Sequence, residues 1–428
     1  MQEIKRERYI EQLVARRENG SIKVITGIRR CGKSYILFKL YKDHLISTGV
    51  KESQIIPIAL DDEKNRKYRD VDVLYDYLTA ATSGDEKMYY IFLDEVQFAI
   101  TDEEMKSGDI RLYGLLNGLL RQQNVDIYVT GSNSKFLSSD VLTEFRGRGD
   151  EVRIYPLSFA EFISAYDGDK YEGFDEYSMY GGLPLILSRN SDEQKGKYLS
   201  DLFEETYKKD VIDRYKLRGD TILDTLVDIL ASAVGSLTNP TKLADTFNSH
   251  GIKTNKNTIA AYIDYMKDAF ILSMAKRYDI KGKKYIGSPY KFYFTDVGLR
   301  NARLNFRQQE QTHILENIIY NELLVRGFNV DVGVVEYRKR DGNGKIVETR
   351  AEVDFVCNKG SRRYYIQSAF AIPDKEKMEQ EQASFDRIDD SFKKIIVLQQ
   401  HTKPWRNEKG YLMINVIDFL LNPDSLEL

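Results

Sequence analysis

From Gly27 to Ser34 the chain reads Gly-Ile-Arg-Arg-Cys-Gly-Lys-Ser, two glycines five residues apart followed at once by a lysine and a hydroxyl. The chemistry open to such a run is the holding of a polyphosphate. Glycines let the backbone curl so that its N–H groups face anionic oxygens, the Lys33 ammonium reaches the β- and γ-phosphates, and the Ser34 hydroxyl takes Mg²⁺. The flanks suit that task. An apolar run, Ile22 to Ile25, leads in, and the helix-like YILFKLYKDHLI leads out, so a helix N-terminus adds its dipole to the site. The candidate nucleotide contacts are Gly27, Arg29, Arg30, Cys31, Gly32, Lys33, Ser34 and Tyr35, and the implied ligands are ATP and Mg²⁺.

A second set of residues points to the same chemistry. MYYIFLDE (88–95) is an apolar strand ending in two acids. Asp94 at that position supports Mg²⁺ through the ion's water shell, and Glu95 orients or deprotonates an attacking water. The bland reading is a core strand with solvated acids at its exit. A third run, NVDIYVTGSNSKFL, ends in Thr130, Ser132 and Asn133. A polar side chain there can touch a γ-phosphate, and Ser132 and Asn133 are the candidates. No Asn-Lys-x-Asp is present to read guanine, which favours ATP over GTP.

These residues need elements to position them. QIIPIAL (54–60) and EVRIYPLS (151–158) bring the apolar runs to five, alternating with helical segments. That is an α/β pattern, a doubly wound parallel sheet whose carboxyl edge gathers the three polar signals. The bulk numbers bound the rest. A chain of 428 residues with 42% hydrophobic and 30% charged residues is ordinary globular protein of two or three domains. A net charge of −3 excludes a general polycation. Two cysteines, Cys31 and Cys357, make no disulfide framework and fit a reducing interior. The first twenty residues are charged and no apolar run reaches membrane-spanning length, so a cytoplasmic protein with no membrane segment is expected.

GIRRCGKS, FLDEVQ, TGSNSKFLSS and FRGRGDEVRIYPLSFAEF, in that order, resemble the prokaryotic AAA-type P-loop ATPases that carry a fused C-terminal domain of unknown function. The resemblance covers nearly the whole chain. It implies ATP hydrolysis and an arginine finger at Arg148, with Arg146 as the other candidate; the bland reading of Arg148 is a surface ion pair. Such an arginine works on charge at the transferred phosphoryl, often across a subunit boundary. A homo-oligomer is therefore left open, as is action within one chain.

Four segments are expected: an ATPase domain over 1–160, a helical lid or linker over 161–221, a winged-helix-like domain over 222–305 and a last module over 306–428. In the lid, Gly181-Gly182 and Pro184 mark a turn. In the third segment three helices precede a basic hairpin, with Ile259, Tyr262, Ile263, Met266 and Phe270 on one helix face. Residues 236–308 hold 13 Lys and Arg against 5 Asp and Glu, a basic island in an acidic chain. DNA is the partner this suggests, through Lys253, Lys256, Lys281, Lys283 and Lys284, with an acidic protein surface the alternative. The last module resembles the restriction-endonuclease-like fold, in which a helix Glu, a strand Asp and a Glu-x-Lys build a metal site. Glu316 and Asp354 match the first two, but the third reads Gln367-Ser368-Ala369. Gln367 lacks the anionic oxygen and Ala369 the cation, so no nuclease activity is expected.

Overall fold

In a computed structural model, residues 3–131, 148–208, 211–212, 215–217, 221–307, 310–340, 342, 345–372 and 374–428 are described. The chain divides into two units, one holding the residues up to Pro156 together with Asp268–Phe270, the other Leu157–Lys267 and Ile271–Leu428.

In the first unit β1 (Ile22–Thr26), β2 (Ile55–Ala59), β3 (Tyr89–Asp94), β4 (Val125–Thr130) and β5 (Gly149–Arg153) form one sheet. Its order is β2-β3-β4-β1-β5, and every neighbouring pair is parallel. β1 and β4 are buried at every position, as strands covered on both faces must be. Alternation along the strands sorts two layers. Val24, Ile91 and Ile127 pack with Leu74 and Leu78 of the helix Val71–Thr82 and with Leu112, Leu116 and Leu119 of the helix Arg111–Leu119. On the other face Phe38 and Tyr41, from the helical segment 33–47, lie against Phe92, and Tyr41 also against Tyr128. A buried ion pair, Lys23 with Asp126, is satisfied there by the Tyr128 hydroxyl, which Tyr41 meets at 2.6 Å. The strand expected over 151–158 stops at Arg153, and Ile154 then turns its carbonyl toward Gly27.

The second unit begins with the lid segment. Its two glycines are steric necessities. A Cβ on Gly181 (φ +75°) would lie 2.1 Å from Asp296 Oδ1, and one on Gly182 2.3 Å from the Leu157 carbonyl oxygen. Asp296 accepts from Gly182 N at 2.8 Å and from Leu299 N at 3.1 Å, capping the helix Val297–Arg303. The helices Thr221–Ser232, Pro240–Ser249 and Lys256–Asp268 follow in the expected order, the second capped by Asn239 on Lys242 N at 2.8 Å. β6 (Leu272–Asp279) and β7 (Lys284–Phe294) then pair antiparallel, and Thr238 bridges to Tyr290.

Two features differ from expectation. The third helix ends at Asp268, and Phe270, at φ +57°, leaves the face that Ile259, Ile263 and Met266 bury. The hairpin is also not free-standing. β6 runs parallel to β8 (Asn329–Arg340) in the register Arg277↔Val332, which makes the hairpin one edge of a larger sheet. With β9 (Ile346–Lys359), β10 (Arg362–Ala369), β11 (Lys393–Leu398), β12 (Trp405–Arg406) and β13 (Leu412–Asn415), that sheet has eight strands in the order β12-β13-β11-β10-β9-β8-β6-β7. A lone hairpin is marginal in water, and docking on β8 supplies the missing neighbour. Main-chain pairing thus crosses the boundary expected near 305, and the three segments after the ATPase domain share one unit. Pro289 sits on β7, the edge strand, where a missing donor is tolerated. No helix among the described residues is long and apolar enough to cross a membrane.

Candidate functional site

The sheet order places β4 between β1 and β3, so the carboxyl ends of three adjacent strands converge. Thr26 ends β1 and hands the chain to the phosphate loop. Gly27 takes φ +140°, and a Cβ there would sit 2.2 Å from the Ile154 carbonyl oxygen, so the loop packs against the residue after β5 only because position 27 is glycine. Gly32, at φ +101°, precedes the first helical turn, Lys33–Tyr35. Lys33, 4% exposed, donates from Nζ to the carbonyls of Gly27 at 2.9 Å and Ile28 at 3.2 Å, which holds its ammonium inside the curl of the loop.

Asp94 ends β3 and is 3% exposed. Its carboxyl accepts from the hydroxyls of Thr130 and Ser34. Burial raises its pKa, the charges of Glu95 and Asp61 add to the rise, and the two hydroxyl bonds oppose it. Among the described residues no lysine or arginine pairs with it. A desolvated carboxylate beside a second acid and a serine hydroxyl is a donor set that fits Mg²⁺. Glu95 follows in the left-handed region, at φ +52°, a conformation a glutamate adopts rarely. Its N–H donates to Thr130 Oγ1 at 3.3 Å and its Oε2 accepts from Gln97 Nε2, so backbone and side chain are both held.

Three supporting residues carried little signal in the sequence. Thr130 was one of several polar residues at the end of β4, and the structure puts its hydroxyl on Asp94. Gln97 closes the FLDEVQ segment but was given no role of its own there. Arg6 lies in a segment read only as charged, yet it is 3% exposed and its guanidinium grips the carbonyls of Cys31 at 3.1 Å and Tyr155 at 2.9 Å, bracing the phosphate loop from behind. Ser132, Asn133 and Arg146 lie outside the described residues. Arg148 is described and stands apart from the loop. Its carbonyl accepts from Ile22 N at 2.8 Å, at the amino edge of the sheet, whereas the phosphate loop leaves the carboxyl edge.

In the second unit Lys253, Lys256, Lys281, Lys283 and Lys284 are all exposed. Four other basic residues of the 236–308 region face inward: Arg277, Lys291 and Arg300 are buried, and Arg303 pairs with Glu204, Asp224 and Asp228. Glu316, on the helix Gln311–Val325, and Asp354, on β9, come together with Gln367 and Ala369 of β10 at a cleft of about 610 Å³. The expected endonuclease-like positions therefore share one place.

A parallel sheet of this order, a phosphate loop after β1 and an acid pair after β3 define a P-loop nucleotide-binding protein of the AAA type. The AAA domain family profile matches residues 19–163, and a profile described as Domain of unknown function (DUF8612) matches residues 171–310. The chain is 31% identical to an uncharacterized protein of Haemophilus influenzae over 98% of each chain, and it belongs to that family of AAA-type ATPases with a fused second domain. An uncharacterized protein of Methanocaldococcus jannaschii is 27% identical over 78% of this chain and 74% of its own. Among solved structures, a Walker-type ATPase of Pyrococcus abyssi is similar at 16% identity and a TM-score of 0.49, over 71% of this chain and 96% of that one.

Proposed function

We propose that the protein hydrolyses ATP to ADP and phosphate, and that nucleotide state governs binding of DNA by the second unit. One observation carries the hydrolytic reading: Asp94, Glu95, Ser34 and Thr130 converge beside a preformed phosphate loop. Loop N–H groups and Lys33 take the β- and γ-phosphates, with Ser34 and Asp94 as the holders of Mg²⁺, which supplies charge neutralisation on the phosphates. Glu95, held by Gln97, orients the attacking water and accepts its proton as the γ-phosphoryl leaves the ADP oxygen.

Arg148 serves a neighbouring copy in this reading. β1 has five residues, and at about 3.3 Å each they separate Arg148 from its own phosphate loop by roughly 17 Å, beyond the reach of an arginine. An arginine finger at that position works in trans, in a homo-oligomer. Mixing Lys33→Ala with Arg148→Ala tests this, since each variant lacks what the other provides. Turnover in the mixture above the sum of the separate variants supports trans action, and no gain removes it.

For the second unit, eight of the thirteen basic residues in 236–308 are exposed, against Asp245 and Asp264, so the basic balance survives folding. Three helices, a short bridge from Thr238 to the hairpin and lysines at the hairpin turn are the parts of a winged helix. The deciding experiment is DNA binding by the purified chain with ATP–Mg²⁺ and with ADP across a salt series. Nucleotide-dependent binding that weakens steeply with salt is expected. Absence of binding in both states overturns the DNA reading and leaves an acidic protein surface as the partner. Glu95→Gln is expected to keep ATP binding and lose turnover, and unchanged hydrolysis would remove Glu95 from its role.

A further inference from the structure

β6 carries an arginine with nothing to hold. Arg277 is 5% exposed, and among the described residues its guanidinium makes no hydrogen bond and no ion pair. Its Nε is sealed from solvent without a partner. Nη1 and Nη2 are unpaired too but are not sealed, so the stem is enclosed and the outer edge of the fork is open. Two nearby acids could have met it, and both are engaged elsewhere. Glu336 Oε1 accepts from Arg350 Nε at 2.9 Å. Glu352 Oε1 lies 2.7 Å from the Nζ of Lys291, which also meets Glu316 at 2.9 Å and Asp354 at 3.7 Å. Burial, and after it the charge of Arg350, lowers the Arg277 pKa, and Glu352 and Glu336 offset only part of that. A buried charge without compensation is costly, and an unsatisfied group of this kind calls for a partner from outside the chain.

An enclosed guanidinium with its outer edge open is shaped for an oxyanion that takes two parallel N–H bonds. Strand register narrows the choice. Arg277 pairs with Ile286 and Asp279 with Lys284, so Lys284 lies on the face of Arg277, one step nearer the hairpin turn. Lys281 and Lys283 continue the row around the turn, and all three lysines are exposed. Asp279, between them and Arg277, accepts from Gly282 N at 3.0 Å and so braces the turn. A carboxylate would fit the fork equally well, and the row of lysines beyond it is what favours a polyanion. We propose that Arg277 is a phosphate-binding residue, the inner end of a basic row that runs from the hairpin turn onto β6. It takes one phosphate group, from a DNA backbone crossing the hairpin or from free phosphate. The DNA source rests on the function proposed above; the phosphate site itself does not.

The experiment uses the full-length, nucleotide-free chain on a Lys33→Ala background, which weakens phosphate binding at the nucleotide loop. Thermal melts in inorganic phosphate and in chloride, at equal ionic strength, are compared for this parent and for Arg277→Met. Phosphate left at the loop and the general salting effect of phosphate are common to both chains and cancel in the difference. The parent is expected to gain on the order of 2 °C more than Arg277→Met at saturating phosphate. In chloride, Arg277→Met is expected to melt no lower than the parent, since it removes an uncompensated charge. An equal phosphate gain in the two chains overturns the proposal. So does an Arg277→Met chain that fails to fold or melts well below the parent in chloride, because the arginine is then compensated within the chain. Arg350→Gln tests the site from an exposed position. It removes one positive charge and releases Glu336 toward Arg277, so it is expected to lower the phosphate gain by about half or more, and an unchanged gain overturns the proposal. DNA titration with Lys33 restored and ATP–Mg²⁺ present identifies the source. Arg277→Met is expected to lower the slope of log K against log salt by about one. An unchanged slope, with the phosphate gain still dependent on Arg277, assigns the site to free phosphate. DNA binding absent from every chain removes the function proposed above and leaves the phosphate site standing on its melts.

Discussion

Lys33 and Lys291 are both buried lysines, and they serve opposite ends. Lys33 donates to two backbone carbonyls of its own loop, and the nearby acids Asp94 and Glu95 pair with hydroxyl and amide groups. Cation and anions stay separate, so one is available to phosphate and the other to a metal ion. Lys291 is spent on three acids at once. Buried charge must be compensated, and the identity of the compensating group decides whether a cluster of acids is a site or a brace. Asp296 gives a third solution, a buried carboxylate held by backbone N–H groups at a helix start.

The sharpest way to break the comparison is to remove each compensating group in turn. Lys291→Met should cost about 3–5 kcal/mol of stability, the penalty for leaving one side of a buried ion pair uncompensated. Urea titration measures it, and a loss below about 1 kcal/mol would mean that the acids find other partners. Lys33→Ala should leave the fold largely intact and lower ATP turnover by about 10²- to 10³-fold, read by phosphate release. A melting temperature that drops as far as that of Lys291→Met would erase the distinction between the two lysines.

Asp296 is tested by pH. Burial, opposed by bonds from Gly182, Leu299, Gly298 and Leu183, raises its pKa to about 6, above the ordinary aspartate value of 3.8. The folded chain therefore binds this proton more tightly than the unfolded chain does. Stability from this group is greatest at low pH, falls by about 3 kcal/mol as pH rises from near 4 to near 6, and is flat above. Asp296→Asn should remove that slope relative to the parent in thermal melts across the window. The smallest expected effect is at Thr130. Thr130→Val deletes one hydrogen bond to Asp94, about 1.5 kcal/mol, and should lower turnover roughly tenfold while ATP affinity holds. Unchanged turnover would reduce Thr130 to packing.

The legible part of the ATP site is the part that is local. The phosphate loop is contiguous, and the acids end a strand that announces itself by apolar run and length. Thr130, Gln97 and Arg6 were not singled out because each acts through a residue far away in the chain, and a polar residue after a strand or a charged residue near a terminus is common. Residues 236–308 show the same limit. Their charge was readable, but four basic residues counted in that island turned inward. Phe270 fitted a helical spacing and was excluded by its own left-handed backbone. The hairpin was legible as two strands, while its membership of the eight-stranded sheet rests on pairing with β8, which lies beyond two intervening helices.

By itself the sequence determined the candidate nucleotide site, because glycine placement, strand exit and helix start are set within a dozen residues and carry their geometry with them. It also showed that Gln367 and Ala369 stand where the expected endonuclease-like pattern has an acid and a lysine. Only the tertiary structure decided what fills that centre. β8 and β6 lie between β9 and β7 in strand order, and three flat spacings amount to roughly 14 Å, more than a lysine spans. The sheet has to curl for Lys291 to reach Asp354, and a curl is a sum over many strands that no local run of residues can state.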